Sequence, residues 1–316
     1  MNAAESGSSG EPAIAALGEA LIDIFPDREV IGGAPFNVAC NIAALGGRAM
    51  VASRIGDDPR GERIAVEARR LGIDPRGLQR DATSPTGWVD VRILQDGGHR
   101  FEIPADQAWD RLDARALTEA LEALQPAAIY FGTLAQRAPV SRAAIRGALA
   151  ATQALRFLDL NLRDGPDDQR LAAESLALAQ VVKINDDELE RLAGWFVPGA
   201  QAGPEAAAEA LVQRFGLRRL VVTRGESGWA CCDAKAGHWL RGASPRVALR
   251  DTVGAGDAFA SVLLLGTLRR WPLELCLRRA SAFAAAVCTI RGAFDADAGI
   301  YAASLAAWSS TEGGTG

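Results

Sequence analysis

From residue 112 to about residue 225 the chain alternates short apolar runs with longer amphipathic ones, and this alternation narrows its possible folds more than any other feature. A helix ending at Leu124 is followed by AAIYFGT, SRAAIRGALAAT, LRFLDLN, QRLAAESLALA, VVKIN, DDELERLAG, EAAAEALVQRF and RRLVVTRG. The short members read as strands that helices cover on both faces, because a half-solvated strand would alternate apolar with polar residues. An α/β fold follows, with a central, mostly parallel β-sheet covered by helices on both faces. Ligands of such sheets bind beyond the carboxyl ends of the strands. Three polar clusters fall there: Asp159-Leu-Asn161-Leu-Arg163, Asn185-Asp-Asp-Glu188 and Thr223-Arg-Gly225.

The first third of the chain adds a second motif. Residues 13–24 read as one strand that ends on polar groups including Glu19 and Asp23, with a brief strand near 28–31 after a turn. GGAPFNVACNIAALGG opens a helix at Gly32-Gly33, with Pro35 in its first turn and Gly46-Gly47 as its stop. Then TGWVDVRIL, QDGG and HRFEIP alternate with period two around an Asp-Gly turn, the pattern of a β-hairpin. Together with the strand near 28–31 it makes a small β-sheet lid, formed by about 24–34 and 85–105. A single α/β body is expected over 13–305, with flexible tails at 1–12 and 306–316.

With 49% hydrophobic and 23% charged residues over 316 positions, a chain of this kind buries a large core. Its net charge of -5 and lack of dense Lys/Arg blocks argue against a nucleic-acid partner. The start has no apolar signal-peptide core, and the longest uncharged run, Val30 to Gly47, carries GGAPFN and is no membrane span. Five Cys with no CxxC pair and two His suit reduced core thiols in a cytoplasmic protein rather than a metal site.

The chemistry concentrates at DTVGAGD, Asp251 to Asp257, which runs into the apolar stretch AFASVLLLGTL. Glycines 254 and 256 keep side chains away where a helix begins, so amide N–H groups can converge on an anion. Asp257 in the first helical turn would lie close to any phosphoryl group held there. Two other nucleotide motifs are excluded. Neither Lys183 nor Lys235 is followed by Ser or Thr as a Walker P-loop requires, and Gly254-Ala-Gly256 comes too late for a dinucleotide fingerprint.

GGAPFNVACNIAALGGRAMVASRIGDDPRGE (Gly32 to Glu62) and DTVGAGDAFASVLL (Asp251 to Leu264) resemble the two signatures of the ribokinase-like (PfkB) carbohydrate kinases, with similarity over about residues 13–300. The resemblance implies a ribokinase-like fold, ATP and Mg²⁺ as cofactors, and a small-molecule sugar as partner. It makes Asp257 the catalytic base and the amides of Gly254, Ala255 and Gly256 the stabilisers of the phosphoryl charge. It assigns sugar contacts to Asp23, Gly32, Gly33 and Asn37. Asn185 and Glu188 would position Mg²⁺ through water, although a helix cap explains the same pair. Thr223, Gly225 and Gly228 fall near the nucleotide, and Asp251 where some members hold a monovalent cation such as K⁺.

GEALIDIFPD, GGAPFNVA and DLNLR are most similar to the fructokinase and 2-keto-3-deoxygluconate kinase branches, with fructose the expected acceptor. The segment after Arg163 departs from those branches, reading Asp164-Gly165-Pro166 rather than Leu-Trp. Arg163 and Arg100 are the cations that a sugar acid would need at the acceptor site. Trp88 and Trp109 keep a nucleoside kinase in view, and a catalytically silent sugar- or nucleotide-binding protein is the non-enzyme alternative. The lid is expected to close on the sugar, and an apolar lid face suggests a homodimer packed through it.

Overall fold

A break at Gly18 divides the start of the chain between two sheets. The computed structural model describes residues 11–312 except 94–98, 164, 166, 198–202, 236 and 238; of 92–93, 99–101 and 311–312 it describes the backbone alone. Strand β1 (Ala13–Leu17) is buried throughout. Gly18 then takes φ +145°, a conformation that residues with a Cβ rarely adopt. The chain turns there, and β2 (Leu21–Ile24) pairs antiparallel with β3 (Glu29–Gly32) in another sheet. The single strand expected over 13–24 is therefore two strands, with Glu19 at the junction.

Helix α1 (Ala34–Ala44) follows β3, with Pro35 in its first turn and Gly46 (φ +78°) past its end. Next come β4 (Arg48–Gly56), α2 (Pro59–Arg70) and β5 (Leu78–Asp81). The hairpin is β6 (Gly87–Ile93) with β7 (His99–Glu102), antiparallel, and β6 runs parallel to β2. The small sheet has the order β3-β2-β6-β7, so the hairpin meets β2 and not, as expected, the strand near 28–31. Its Asp-Gly turn and the Arg100 side chain lie outside the described residues.

The alternation then proceeds through α3 (Ala114–Leu124), β8 (Ala128–Phe131), α4 (Pro139–Ala151), β9 (Leu155–Asp159), α5 (Asp168–Leu178), β10 (Val181–Asn185), α6 (Asp186–Phe196), α7 (Pro204–Phe215) and β11 (Arg219–Thr223). Strands β12 (Trp229–Asp233) and β13 (Trp239–Gly242) finish the large sheet as an antiparallel edge. Its order is β13-β12-β11-β10-β9-β8-β1-β4-β5, otherwise parallel. Side chains of β1 divide by parity, as period two requires. Ile14 and Ala16 join one core, and Ala13, Ala15 and Leu17 join the other.

Helices α8 (Ala255–Leu268), α9 (Leu273–Val287) and α10 (Ile300–Glu312) complete the chain. Every residue of α8 from Asp257 to Gly266 is buried, which explains why AFASVLLLG shows no polar stripe. The flexible tail expected from residue 306 is instead, as far as Glu312, the end of α10. Trp308 anchors it, packing edge-on against Trp271 with ring centroids 5.2 Å apart. Arg279 also donates to the Trp308 carbonyl at 2.9 Å. Burying a large apolar side chain is worth about 1.5–3 kcal/mol, enough to hold a terminal turn. Among the described residues no helix is long and apolar enough to cross a membrane.

Candidate active site

The sheet aims its parallel strands so that Asp159, Asn185 and Thr223 end β9, β10 and β11 side by side. Above these ends α8 begins, and a cleft of about 2020 Å³ runs from the small sheet across the start of α8 to β11. Gly254 caps α8 with φ +79°, and a Cβ on it would collide with Ala293. The turn is thus open to Gly alone, and it leaves the first amides of α8 facing the cleft. Gly254→Ala is expected to cost at least about 1–2 kcal/mol from the left-handed backbone before the clash is counted. Urea unfolding checks this, and an unchanged midpoint would contradict it.

One turn into α8, the Asp257 carboxylate is 9% exposed, and its Oδ2 accepts a hydrogen bond from Asn37 Nδ2 at 2.8 Å. Asn37 lies in the first turn of α1, so two helix starts meet at Asp257. Burial, helped by the charge of Asp159, pushes Asp257 up to about 7, against the Asn37 bond and the cations Lys183 and Arg163. A carboxyl poised near neutrality can both take and release a proton at working pH.

The end of the cleft beside the small sheet is lined by Glu19, Asp23, Gly33, Asn37 and Arg163. Gly33 needs its freedom twice. It has φ +102°, and a Cβ would sit 2.5 Å from the Glu19 carbonyl oxygen. Burial raises Asp23 to about 6 and Glu19 to about 7, while Arg163 opposes both shifts. Glu19 Oε1 also accepts from the Ala34 amide at 3.3 Å, serving α1 as a cap that Gly33 cannot provide. Gly32 has a different part. Its missing Cβ leaves room for the Asp23 carboxylate.

At the other end Thr223, Gly225 and Gly228 line the cleft with the exposed Val247 and Leu249. Thr223 Oγ1 donates to the Ile184 carbonyl at 3.2 Å. Gly225 (φ +52°) and Gly228 (φ +100°) bound a single 3₁₀ turn, and Gly228 closely approaches the Gly242 carbonyl of β13. Asp251 ties the loop before α8 to the segment after α9, accepting from the amides of Val253 (3.0 Å) and Gly292 (2.8 Å).

Asn185 and Glu188 form a reciprocal capping box at the start of α6. Asn185 Oδ1 accepts from the Glu188 amide at 2.8 Å, and Glu188 Oε2 from the Asn185 amide at 2.9 Å. Glu188 Oε1 accepts from the Leu162 amide at 2.8 Å. No group of three or more His, Cys, Asp or Glu that could hold a metal occurs among the described residues. Each carboxylate oxygen of Glu188 keeps a lone pair beyond its backbone bond, which is compatible with contact to Mg²⁺ through water.

Three buried groups at this site were missed as functional candidates. Lys183 Nζ donates to Asp159 Oδ1 and Oδ2 at 2.8 and 3.0 Å, and both residues line the cleft. Glu19 is the third. The available signal was charge inside strands that are otherwise apolar, LRFLD and VVKIN, because a buried charge demands a partner.

The geometry can be compared with known proteins. The model of the pfkB family carbohydrate kinases matches residues 19–298. A fructokinase from Klebsiella pneumoniae is 32% identical over 268 residues, which cover 79% of this chain and 82% of that protein. Fructokinase-1 of Oryza sativa subsp. japonica is 29% identical over 310 residues, covering 89% and 93%. Among solved structures, a fructokinase from Xylella fastidiosa with bound ATP superposes with a TM-score of 0.79 at 26% identity, covering 94% of this chain and 99% of that one.

Proposed function

The chain belongs to the pfkB carbohydrate kinase family, and we propose that within it this protein transfers the γ-phosphoryl group of ATP to a hydroxyl of fructose. The observation that carries the reading is Asp257, fixed by Asn37 beside the amides of α8 in a cleft deep enough for two substrates. The sugar occupies the end formed by Asp23, Gly33 and Asn37, and the nucleotide lies toward Thr223 and Gly225. As the sugar oxygen bonds to the γ-phosphorus, its proton passes to Asp257. The bond from that phosphorus to the β,γ-bridging oxygen breaks, and its electron pair leaves with ADP. Amides of Gly254, Ala255 and Gly256 take the charge spread over the phosphoryl oxygens.

Mg²⁺ supplies charge neutralisation of the nucleotide phosphates when bound. Glu188 and Asn185 would hold its waters. The small sheet acts as the lid that keeps water from accepting the phosphoryl group. Asp27, on its β2–β3 turn, already reaches Arg291 of the body at 3.2 Å.

Fructose is supported by the named relatives and by GEALID with GGAPFNVA. A second reading, 2-keto-3-deoxygluconate, is supported by the charge of Arg163, which acts on Glu19 and Asp23 at the acceptor end. ADP release from Mg-ATP separates them, measured with fructose, 2-keto-3-deoxygluconate, ribose, glucose and adenosine, in K⁺ and again in Na⁺. Fructose is expected to give the highest kcat/KM, and K⁺ to support faster turnover if Asp251 borders a cation. Preference for the keto-deoxy acid would move the acceptor assignment to the Arg163 side.

We carry the homodimer as a proposal resting on the alternating pattern of the hairpin. Within one chain Val89 and Val91 are already buried, at 3% and 2% exposure, so any partner would have to pack on the remaining lid surface. Sedimentation velocity at micromolar concentration is expected to give twice the 33.2 kDa chain mass. A species of single-chain mass would remove the dimer.

A further inference from the structure

One charged group at the start of α8 has no part in the mechanism above. Lys183 sits inside β10, 6% exposed, in a strand that is otherwise apolar up to its last residue. Asp159 is its direct neighbour across the β9–β10 pairing, and two of the three ammonium protons go to the two Asp159 oxygens. The ammonium lies against the first turn of α8. A Cβ placed on Gly256 would be 3.0 Å from Nζ. Around it stand the carboxyls of Asp159, Glu188 and Asp257.

A cross-strand tie does not require this arrangement, because apolar side chains of similar volume often stabilise a buried site as well as an ion pair does. What the pair adds is an ammonium fixed by Asp159 beside the first turn of α8, at the floor of the anion cradle. Charge that builds on a transferring phosphoryl group is stabilised most by dipoles and cations already in place within a dry site. We propose that Lys183, held by Asp159, contacts an equatorial oxygen of the phosphoryl group in transit and is a further catalytic residue of this kinase. Gly256 matters for the same reason, because a side chain there would press on the ammonium. The inference rests on phosphoryl transfer at that cradle.

The test uses the full chain and Lys183→Met, which keeps length and removes charge. Turnover is measured with the preferred sugar. Calorimetry compares the affinity for Mg-ADP with that for Mg-ADP plus aluminium fluoride and the sugar, a mimic of the transferring group. The variant should lose about 10²- to 10³-fold in kcat. Affinity for the mimic should fall in proportion, while Mg-ADP affinity and sugar KM stay within about threefold. A folded variant with kcat within about threefold of the unaltered protein would overturn the proposal, as would equal loss of Mg-ADP and mimic affinity. Should Lys183→Met not fold, Gly256→Ala keeps the charge but sets a methyl against the ammonium and displaces it. It is expected to lose kcat and mimic affinity together, and unchanged values would again overturn the proposal. If the unaltered protein phosphorylates no sugar, the kinase reading fails and this inference with it; an active Lys183→Met protein beside an active parent removes this inference alone.

Discussion

Replacing Asp257 with Asn should lower kcat at least about 10²-fold while leaving the sugar KM within a few-fold, since a general base contributes typically 10²–10⁴. The substitution keeps the shape of the side chain and its contact with Asn37, yet removes the oxygen charge that accepts the proton. Stability should not suffer. Burial is the chief reason the Asp257 carboxyl is raised to about 7, so exchanging it for a neutral amide lifts a desolvation cost. Steady-state kinetics with thermal melting separates the two effects. A variant that melts at or above the parental temperature but turns over at less than about one hundredth of the rate fits the account. Near-parental turnover would show that the proton leaves by another route.

The second large effect is on pH. Asp257 must be ionised to act, so the rate should rise with pH through about 7 and level off above it. Below that limb it should fall about tenfold per unit, to about 1% of the plateau two units down. The groups that set this value are Asp159, Asn37, Lys183 and Arg163, with burial the largest cause. Glu19 is raised to about 7 mainly by its own burial and in smaller part by the charge of Asp257. A limb at about 4, the ordinary carboxylate range, would contradict the buried-base geometry.

Much of this arrangement is legible in the residues. Apolar runs such as AAIYF and VVKIN have to be covered on both faces, and that requirement alone leads to a parallel sheet between two helical layers. Gly254 is legible because a turn of that shape admits little else, and Asp257 because it is the one acid opening an otherwise apolar helix. The division of residues 13–24 is less so. It depends on the φ of Gly18 and on whether the neighbouring partner is β4 or β3, and neither is a property of the local sequence. The Lys183–Asp159 pair shows the same limit. Each residue is visible as a charge in an apolar strand, but they lie 24 positions apart and meet through strand order. Asn185 and Glu188 illustrate a different one, since a capping box and an outer-shell metal site use the same residues at the same spacing. Trp308 was hidden by composition, because the polar residues after it resemble a tail while the indole itself is a core group.

The central claim is that the cleft moves a phosphoryl group to a sugar hydroxyl, and ATP labelled at the γ-phosphate tests it most directly. Incubated with Mg²⁺, fructose and the protein, the label should appear in fructose phosphate in one-to-one ratio with ADP. It should remain in ATP when fructose is omitted or Asp257→Asn is used. Label released as inorganic phosphate whether or not a sugar is present, or retained in ATP with every acceptor tried, would contradict the account.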